Sequence, residues 1–221
     1  MSALLFDMDG TVIDSEPLWL EAEIEVMAEL GCHWDAQDQQ NCLGGPMDRT
    51  EKYMQERSGN IKPYGYFRDN LNRVMQKKLL HDLKLVPNAL ELISSAKKIG
   101  IKTALVTASG SVLMNIALKK FPDGIFDATV SRDDVINSKP NPEPYLRAAD
   151  LLEVNISNCV VFEDSETGVI SGLASGAQVI GIPHLINLAP HENLRIVDSL
   201  SDVSIDKLRN WYPTLFVGAR R

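Results

Sequence analysis

Short apolar runs alternate with amphipathic stretches over most of this 221-residue chain. Runs that are apolar throughout are typical of strands buried inside a parallel sheet, while apolar residues at a spacing of three to four indicate helices. This alternation predicts an α/β fold with a doubly wound parallel sheet. The predicted strands cover residues 3–7, 102–107, 127–130, 160–163 and 178–182, and the predicted helices cover residues 89–99, 112–119, 143–152 and 167–174.

The segment from residue 15 to residue 86 interrupts the alternation, because it contains no strand-like run. It opens with Ser15, Glu16 and Pro17, which supply a capping hydroxyl, an acid at the positive end of a helix and a proline for the first turn. The apolar residues that follow recur at helical spacing until Gly31. Further helices are predicted over residues 35–42, 48–57 and 67–80.

An all-helical insertion between the first two sheet strands divides the chain into two parts. We expect a core built from residues 1–15 and 82–221, and a helical domain built from residues 16–81. The predicted hinges are residues 14–16 and 81–86.

Two aspartates follow the first predicted strand at its carboxyl end, where ligands bind in open α/β sheets. Asp7 and Asp9 are separated by one residue, and Gly10 then permits a sharp turn close to a ligand. A bound cation would relieve the repulsion between the two carboxylates and leave one of them free to attack phosphorus. The alternative is a solvated turn that carries two surface acids.

Further polar residues follow other predicted strands. Thr107 ends the second apolar run and enters a turn that begins with Ala108, while Glu163 and Asp164 end a later strand. Lys139 lies in a loop held by prolines. A threonine at a strand end is usually structural, and a lone lysine is usually solvated. Because these two residues occur together with acids at the ends of other strands, a common site is favoured.

In their order and spacing these motifs resemble the haloacid dehalogenase superfamily of phosphohydrolases, and the resemblance covers essentially the whole chain. It implies a Rossmann-like catalytic core with a helical cap domain that closes over the site. Within that superfamily the chain is similar to sugar-phosphate phosphatases of the 2-deoxyglucose-6-phosphatase and hexitol phosphatase types. The resemblance therefore implies a Mg²⁺-dependent phosphatase that hydrolyses a small sugar or polyol phosphate through an aspartyl-phosphate.

The resemblance also assigns roles to the acidic residues. Asp7 is expected to attack phosphorus, and Asp9 to protonate the leaving oxygen and later to accept a proton from water. By the same resemblance, Mg²⁺ binds the side chains of Asp7 and Asp164 and the backbone carbonyl of Asp9, a set of oxygen ligands that suits this ion. Glu163 is expected to help, either through a bound water or by orienting the site.

A cradle for the phosphate is expected around Thr107. Its hydroxyl and the amides of Met8, Asp9 and Ala108 are predicted donors to phosphoryl oxygens. Lys139 is expected to place a positive charge opposite the metal and to stabilise the transition state.

The cap is expected to select the substrate. Trp19 either faces the cleft or only packs its helix, and the β-phosphoglucomutases, which this chain also resembles, carry a histidine at that place. A phosphosugar mutase nevertheless stays the alternative function. Gly45 in a predicted mobile loop, and Arg49 as a contact for a hydroxyl or second phosphate, complete the predicted specificity residues. A binding protein that has lost catalysis fits poorly, because no motif residue is missing.

Composition limits the partners. A net charge of −8 argues against nucleic acid and anionic membranes as partners. Three cysteines without metal-ligand spacing predict reduced thiols, and no apolar run reaches membrane length. We therefore expect a cytoplasmic monomer whose partner is a small phosphorylated molecule.

Overall fold

The computed structural model describes residues 2–182 and 189–216. Within these residues, six strands form one sheet in which every neighbouring pair is parallel, in the order β5-β4-β1-β6-β7-β8. The remaining strands, β2 and β3, form a short antiparallel ribbon. The strands are β1 (Ala3–Phe6), β2 (Ile13–Asp14), β3 (Lys84–Leu85), β4 (Lys102–Val106), β5 (Ala128–Val130), β6 (Cys159–Glu163), β7 (Gln178–Gly181) and β8 (Leu194–Ile196).

Helices fill the chain between the strands, and four of those described follow one another between β2 and β3. We call these four, α1 to α4, the helical insertion. The helices are α1 (Glu16–Ala28), α2 (Ala36–Gln40), α3 (Met47–Arg57), α4 (Tyr66–Asp82), α5 (Ala89–Lys98), α6 (Ser111–Leu118), α7 (Glu143–Leu151), α8 (Glu166–Ser175) and α9 (Ile205–Trp211). None of the helices in the described ranges is both long enough and apolar enough to cross a bilayer.

Strand β1 lies in the middle of the sheet and is covered on both faces. Leu4 and Phe6 belong to the apolar cluster on one face, and Ala3 and Leu5 to the cluster on the other. Successive side chains of a strand point to opposite faces, so burial of both faces requires an uninterrupted apolar run. The ring of Phe6 stacks on that of Phe162 in β6, with centroids 4.6 Å apart.

The predicted α/β fold with a parallel sheet is confirmed, and each predicted strand and helix has a counterpart within a few residues. Hydrophobic periodicity does not predict β8, α9 or the β2–β3 ribbon. Strand β8 is short, and two of its three residues are exposed, so it lacks the apolar run of a buried strand. Helix α9 spans only seven residues.

The β2–β3 ribbon joins the two chain segments that were predicted as hinges. Ile13 pairs with Leu85, and the amide of Val86 donates to the carbonyl of Val12 at 3.0 Å. Because each strand has only two residues, hydrophobic periodicity gives no signal for it. The boundaries of the core and the helical domain stay a prediction.

We expect Phe162→Ala to destabilise the protein by about 3–5 kcal/mol, because it leaves a cavity beside Phe6 at the centre of the sheet. Urea denaturation would measure the change. Ile136→Ala is the control, since 84% of Ile136 is exposed and its truncation should change stability by no more than about 0.5 kcal/mol. Equal losses in the two variants would contradict the central position of Phe162.

Candidate active site

The carboxyl ends of three adjacent strands converge at one edge of the sheet. Strands β4, β1 and β6 are neighbours and parallel, and they are followed or ended by Thr107, Asp7 and Glu163. The amide of Asp7 donates to the carbonyl of Phe162 at 3.0 Å, which ties the end of β1 to β6. Residues far apart in the sequence therefore meet where open α/β sheets bind ligands.

The side chain of Lys139 lies between these strand ends. Its Nζ is 2.5 Å from Oδ1 of Asp7, 2.7 Å from Oε1 of Glu163 and 2.9 Å from the carbonyl oxygen of Val106. Burial alone would lower the pKa of Lys139, but the carboxylates of Asp7 and Glu163 outweigh it and raise that pKa. The lysine is thus a buried ammonium between the carboxyl ends of the strands, and its position opposite a metal stays a prediction.

Negative charge exceeds positive charge at this edge. Burial raises the pKa of Asp7 against the attraction of Lys139, and the nearby charges of Glu163 and Asp9 raise it further. The pKa of Asp164 is raised well above its usual value, first by burial and then by repulsion from Asp7 and Glu163. An additional cation would relieve this repulsion.

Three carboxylates fit such a cation. One oxygen from each of Asp7, Glu163 and Asp164 lies within 4.8 Å of the others. Glu163 is already engaged, because its Oε1 accepts from Lys139 and from the hydroxyl of Tyr145 at 2.5 Å, and its Oε2 accepts from Ser165 at 3.1 Å. The donor set consists of hard oxygens, which suits Mg²⁺.

Asp9 lies in a different environment from Asp7. Its Oδ1 accepts from the hydroxyl of Ser15 at 2.7 Å and from Nε1 of Trp19 at 3.3 Å. Its Oδ2 accepts from the hydroxyl of Ser109 at 2.8 Å and, at 3.4 Å, from that of Thr107. Hydroxyl groups and an indole therefore surround Asp9, whereas Asp7 faces the ammonium.

Two of the hydroxyl groups that donate to Asp9 belong to residues that the sequence did not assign to the site, Ser15 and Ser109. The expectation that the hydroxyl of Ser15 caps α1 is wrong, because this side chain makes no capping bond and donates to Asp9 instead. Ser109 lies in the turn after Thr107 and is not among the predicted site residues. Its position two residues beyond Thr107, at a predicted strand end, was the signal that it belongs to the site.

The predicted phosphate-binding residues lie around Asp9. The hydroxyl of Thr107 accepts from the amide of Ser109 at 3.0 Å, and Ala108 lines the cavity described below. Met8 is fully buried, with its side chain in the apolar core, and it is not among the residues that line the cavity. Donation by the amides of Met8, Asp9 and Ala108 to phosphate stays a prediction.

A cavity of about 310 Å³ lies between the sheet edge and the helical insertion. Trp19 and Gly45 line it, while their predicted contact with the substrate stays a prediction. Arg49 is exposed and donates to the carbonyl of Leu43 at 2.6 Å, and it is not among the residues that line the cavity. Glu23 lines the cavity but was not predicted, although it lies one helical turn beyond Trp19.

Known proteins are similar to this chain over most of its length. Residues 4–182 match the haloacid dehalogenase-like hydrolases. Hexitol phosphatase B of Escherichia coli (strain K12) is 33% identical over 186 residues, which are 82% of this chain and 83% of that protein. A phosphorylated carbohydrates phosphatase of Thermotoga maritima is 30% identical over 85% of this chain and 88% of its own length.

Among solved structures, CbbY of Rhodobacter sphaeroides in complex with phosphate superposes with a TM-score of 0.78. It is 26% identical, and the superposition covers 90% of this chain and 95% of CbbY. The fold and the acidic strand-end site thus define a hydrolase with a parallel α/β core. The chain belongs to the haloacid dehalogenase-like hydrolase family.

We expect Gly10→Ala to weaken Mg²⁺ binding by about tenfold or more, because a Cβ at this position would lie 2.0 Å from Oδ2 of Asp164. Isothermal titration with MgCl₂ would measure the affinity. Gly31→Ala is the matched control, since Gly31 also has a positive φ but open space around it. Equal affinities in the two variants would show that Asp164 does not hold the metal.

Proposed function

We propose that the protein is a Mg²⁺-dependent phosphoric monoester hydrolase that acts on a small sugar or polyol phosphate. One observation carries the proposal: two aspartates, two residues apart, have different partners at the same strand end. Asp7 is paired with the ammonium of Lys139, while Asp9 accepts hydrogen bonds from hydroxyls and an indole. Different environments are what a nucleophile and an acid–base group need.

The reaction consists of two displacements at phosphorus. In the first, a carboxylate oxygen of Asp7 attacks phosphorus, the bond to the ester oxygen breaks, and Asp9 gives its proton to the departing alcohol. In the second, water attacks the aspartyl-phosphate while Asp9 accepts a proton from it. Phosphate then leaves, and the carboxylate of Asp7 and the proton on Asp9 are restored.

Lys139 orients the nucleophile. Its Nζ holds Oδ1 of Asp7 at 2.5 Å, which fixes the carboxylate and favours the other oxygen as the attacking atom. The same ammonium lies in reach of the phosphoryl group that Asp7 would carry, where positive charge stabilises the transition state. Glu163 and Tyr145 keep the lysine in place, so Glu163 acts by orientation.

Asp7 and Asp164, with the backbone carbonyl of Asp9, are the proposed holders of Mg²⁺. When bound, the ion neutralises charge on the phosphoryl oxygens and on the carboxylates. The close packing of Gly10 against Asp164 and the raised pKa of both carboxylates support this assignment.

The lining of the cavity and the names of the relatives both support a small hydroxylated substrate. Carboxylates, hydroxyls and the indole of Trp19 line the cavity together with several apolar side chains and the guanidinium of Arg68. Hexitol phosphatase B and the phosphorylated carbohydrates phosphatase, by their names, act on phosphorylated sugars or their alcohols. A small phosphorylated molecule is therefore the proposed partner, in a cytoplasmic and monomeric enzyme.

We expect release of inorganic phosphate from a panel of sugar and polyol phosphates in the presence of MgCl₂, and its loss when EDTA is added. Asp7→Asn should lower turnover by roughly a thousandfold or more, because an amide is a poor nucleophile. Asp206→Asn is the control, since Asp206 is exposed on α9. Undiminished turnover in Asp7→Asn would refute the proposed nucleophile.

Mass balance distinguishes a phosphatase from the alternative function, a phosphosugar mutase. Trp19 occupies the place where the resemblance sets a histidine in β-phosphoglucomutases, and an indole N–H donates but does not accept a proton. We therefore expect one inorganic phosphate for each substrate consumed, measured by a phosphate assay and by ³¹P NMR. An isomeric sugar phosphate formed without phosphate release would favour the mutase.

A further inference from the structure

Glu23 places a buried carboxylate in the wall of the cavity. Only 3% of this residue is exposed, and it belongs to α1 in the helical insertion. Its Oε2 accepts from Nε1 of Trp34 at 3.0 Å. Its Oε1 has no donor among the described residues, yet the described part of the chain contains no buried side-chain oxygen without a partner. This oxygen therefore opens into the cavity.

Other buried carboxylates of the insertion are far better satisfied. Asp38 accepts two bonds from Arg57, at 2.7 and 3.1 Å, and a third from Tyr53. Glu51 accepts from the amides of Gly65 and Arg68 at the start of α4. Burying a carboxylate costs free energy unless donors compensate it, so structural acids are surrounded by donors.

No salt bridge joins Glu23 to a cation within the described ranges. Burial raises the pKa of Glu23 to about 7, against the hydrogen bond from Trp34, and the charge of Asp38 raises it further. Packing alone does not account for a carboxylate kept in this environment. A ligand that donates a hydrogen bond to Oε1 would account for it.

The position of Glu23 relates it to the reacting group. Trp19 contacts Asp9, and Glu23 follows four residues later on the same face of the helix, about 6 Å further along the axis. A substrate whose phosphate lies at Asp7 would extend its organic part along this face. Glu23 then lies beside the hydroxyl groups of that part and away from the phosphate.

We propose that Glu23 determines specificity by accepting a hydrogen bond from a hydroxyl group on the organic part of the substrate. The inference rests on the proposed function and defines its substrate class more closely. A polyhydroxylated monophosphate is favoured, because the carboxylate accepts from a hydroxyl. A substrate that places a second phosphate directly against Glu23 is disfavoured, because two anions would then meet in a buried site.

Steady-state kinetics with two substrates test the proposal. A hexitol phosphate carries hydroxyl groups on its organic part, whereas p-nitrophenyl phosphate carries none and reports only the phosphoryl chemistry. The variants are Glu23→Gln, which keeps an acceptor for Trp34, and Glu23→Leu, which removes both oxygens. Glu25→Gln is the matched control, since Glu25 lies on the same helix but is exposed.

For Glu23→Leu we expect kcat/KM for the hexitol phosphate to fall by about tenfold or more, mainly through KM, as for the loss of a hydrogen bond to a charged group. Glu23→Gln should show a smaller fall. Turnover of p-nitrophenyl phosphate should stay within about twofold of the wild type in both variants, and Glu25→Gln should leave both substrates unchanged.

Unchanged kinetics with the hexitol phosphate would overturn the assignment of Glu23 while leaving the phosphatase proposal intact. Equal losses with both substrates would also overturn it, because Glu23 would then serve only the fold. If the wild-type protein hydrolysed neither substrate in MgCl₂, the proposed function itself would fail, and the assignment with it.

Discussion

The contact of the buried Lys139 ammonium with Asp7 and Glu163 is the interaction on which the site depends. Carboxylates at neighbouring strand ends repel each other, and the sheet brings them together only because this cation lies between them. A buried ion pair repays its desolvation when the remaining oxygens are also bonded. The hydroxyls of Tyr145 and Ser165 donate to the carboxylate of Glu163, and the absence of a side chain at Gly168 leaves room for that carboxylate. The contacts that pack the edge of the sheet therefore also set the electrostatics of the site.

The same arrangement explains how two nearby aspartates come to differ. Strand β1 ends at Phe6, so Asp7 stays within the buried edge, where it meets Lys139. The turn that follows contains Gly10 in the left-handed region, and it carries Asp9 out of the sheet toward α1. Asp9 therefore takes its donors partly from the insertion. The difference between the two carboxylates arises from where the strand stops.

The sequence predicted the sheet and the charged residues because their signals are local. Apolar runs identify buried strands, and parallel strands place their carboxyl ends together, so Asp7, Thr107 and Glu163 could be grouped without coordinates. The roles of Ser15 and Glu23 depended on long-range packing, which periodicity does not encode. A serine before a helix normally caps it, and a lone glutamate on a helix is normally solvated. Only the fold shows that both face the cavity.

The two sides of the cavity carry different charged groups. The sheet edge pairs its carboxylates with the buried ammonium of Lys139, and a bound cation would leave this side able to accept a phosphate, whereas α1 contributes the carboxylate of Glu23. With a net charge of −8, the protein as a whole repels anions, so recognition of a phosphate must come from short-range groups. A molecule with an anionic end and a neutral, hydroxyl-bearing end then has one favourable orientation. That orientation directs the ester bond toward Asp7 and Asp9 before any chemistry begins.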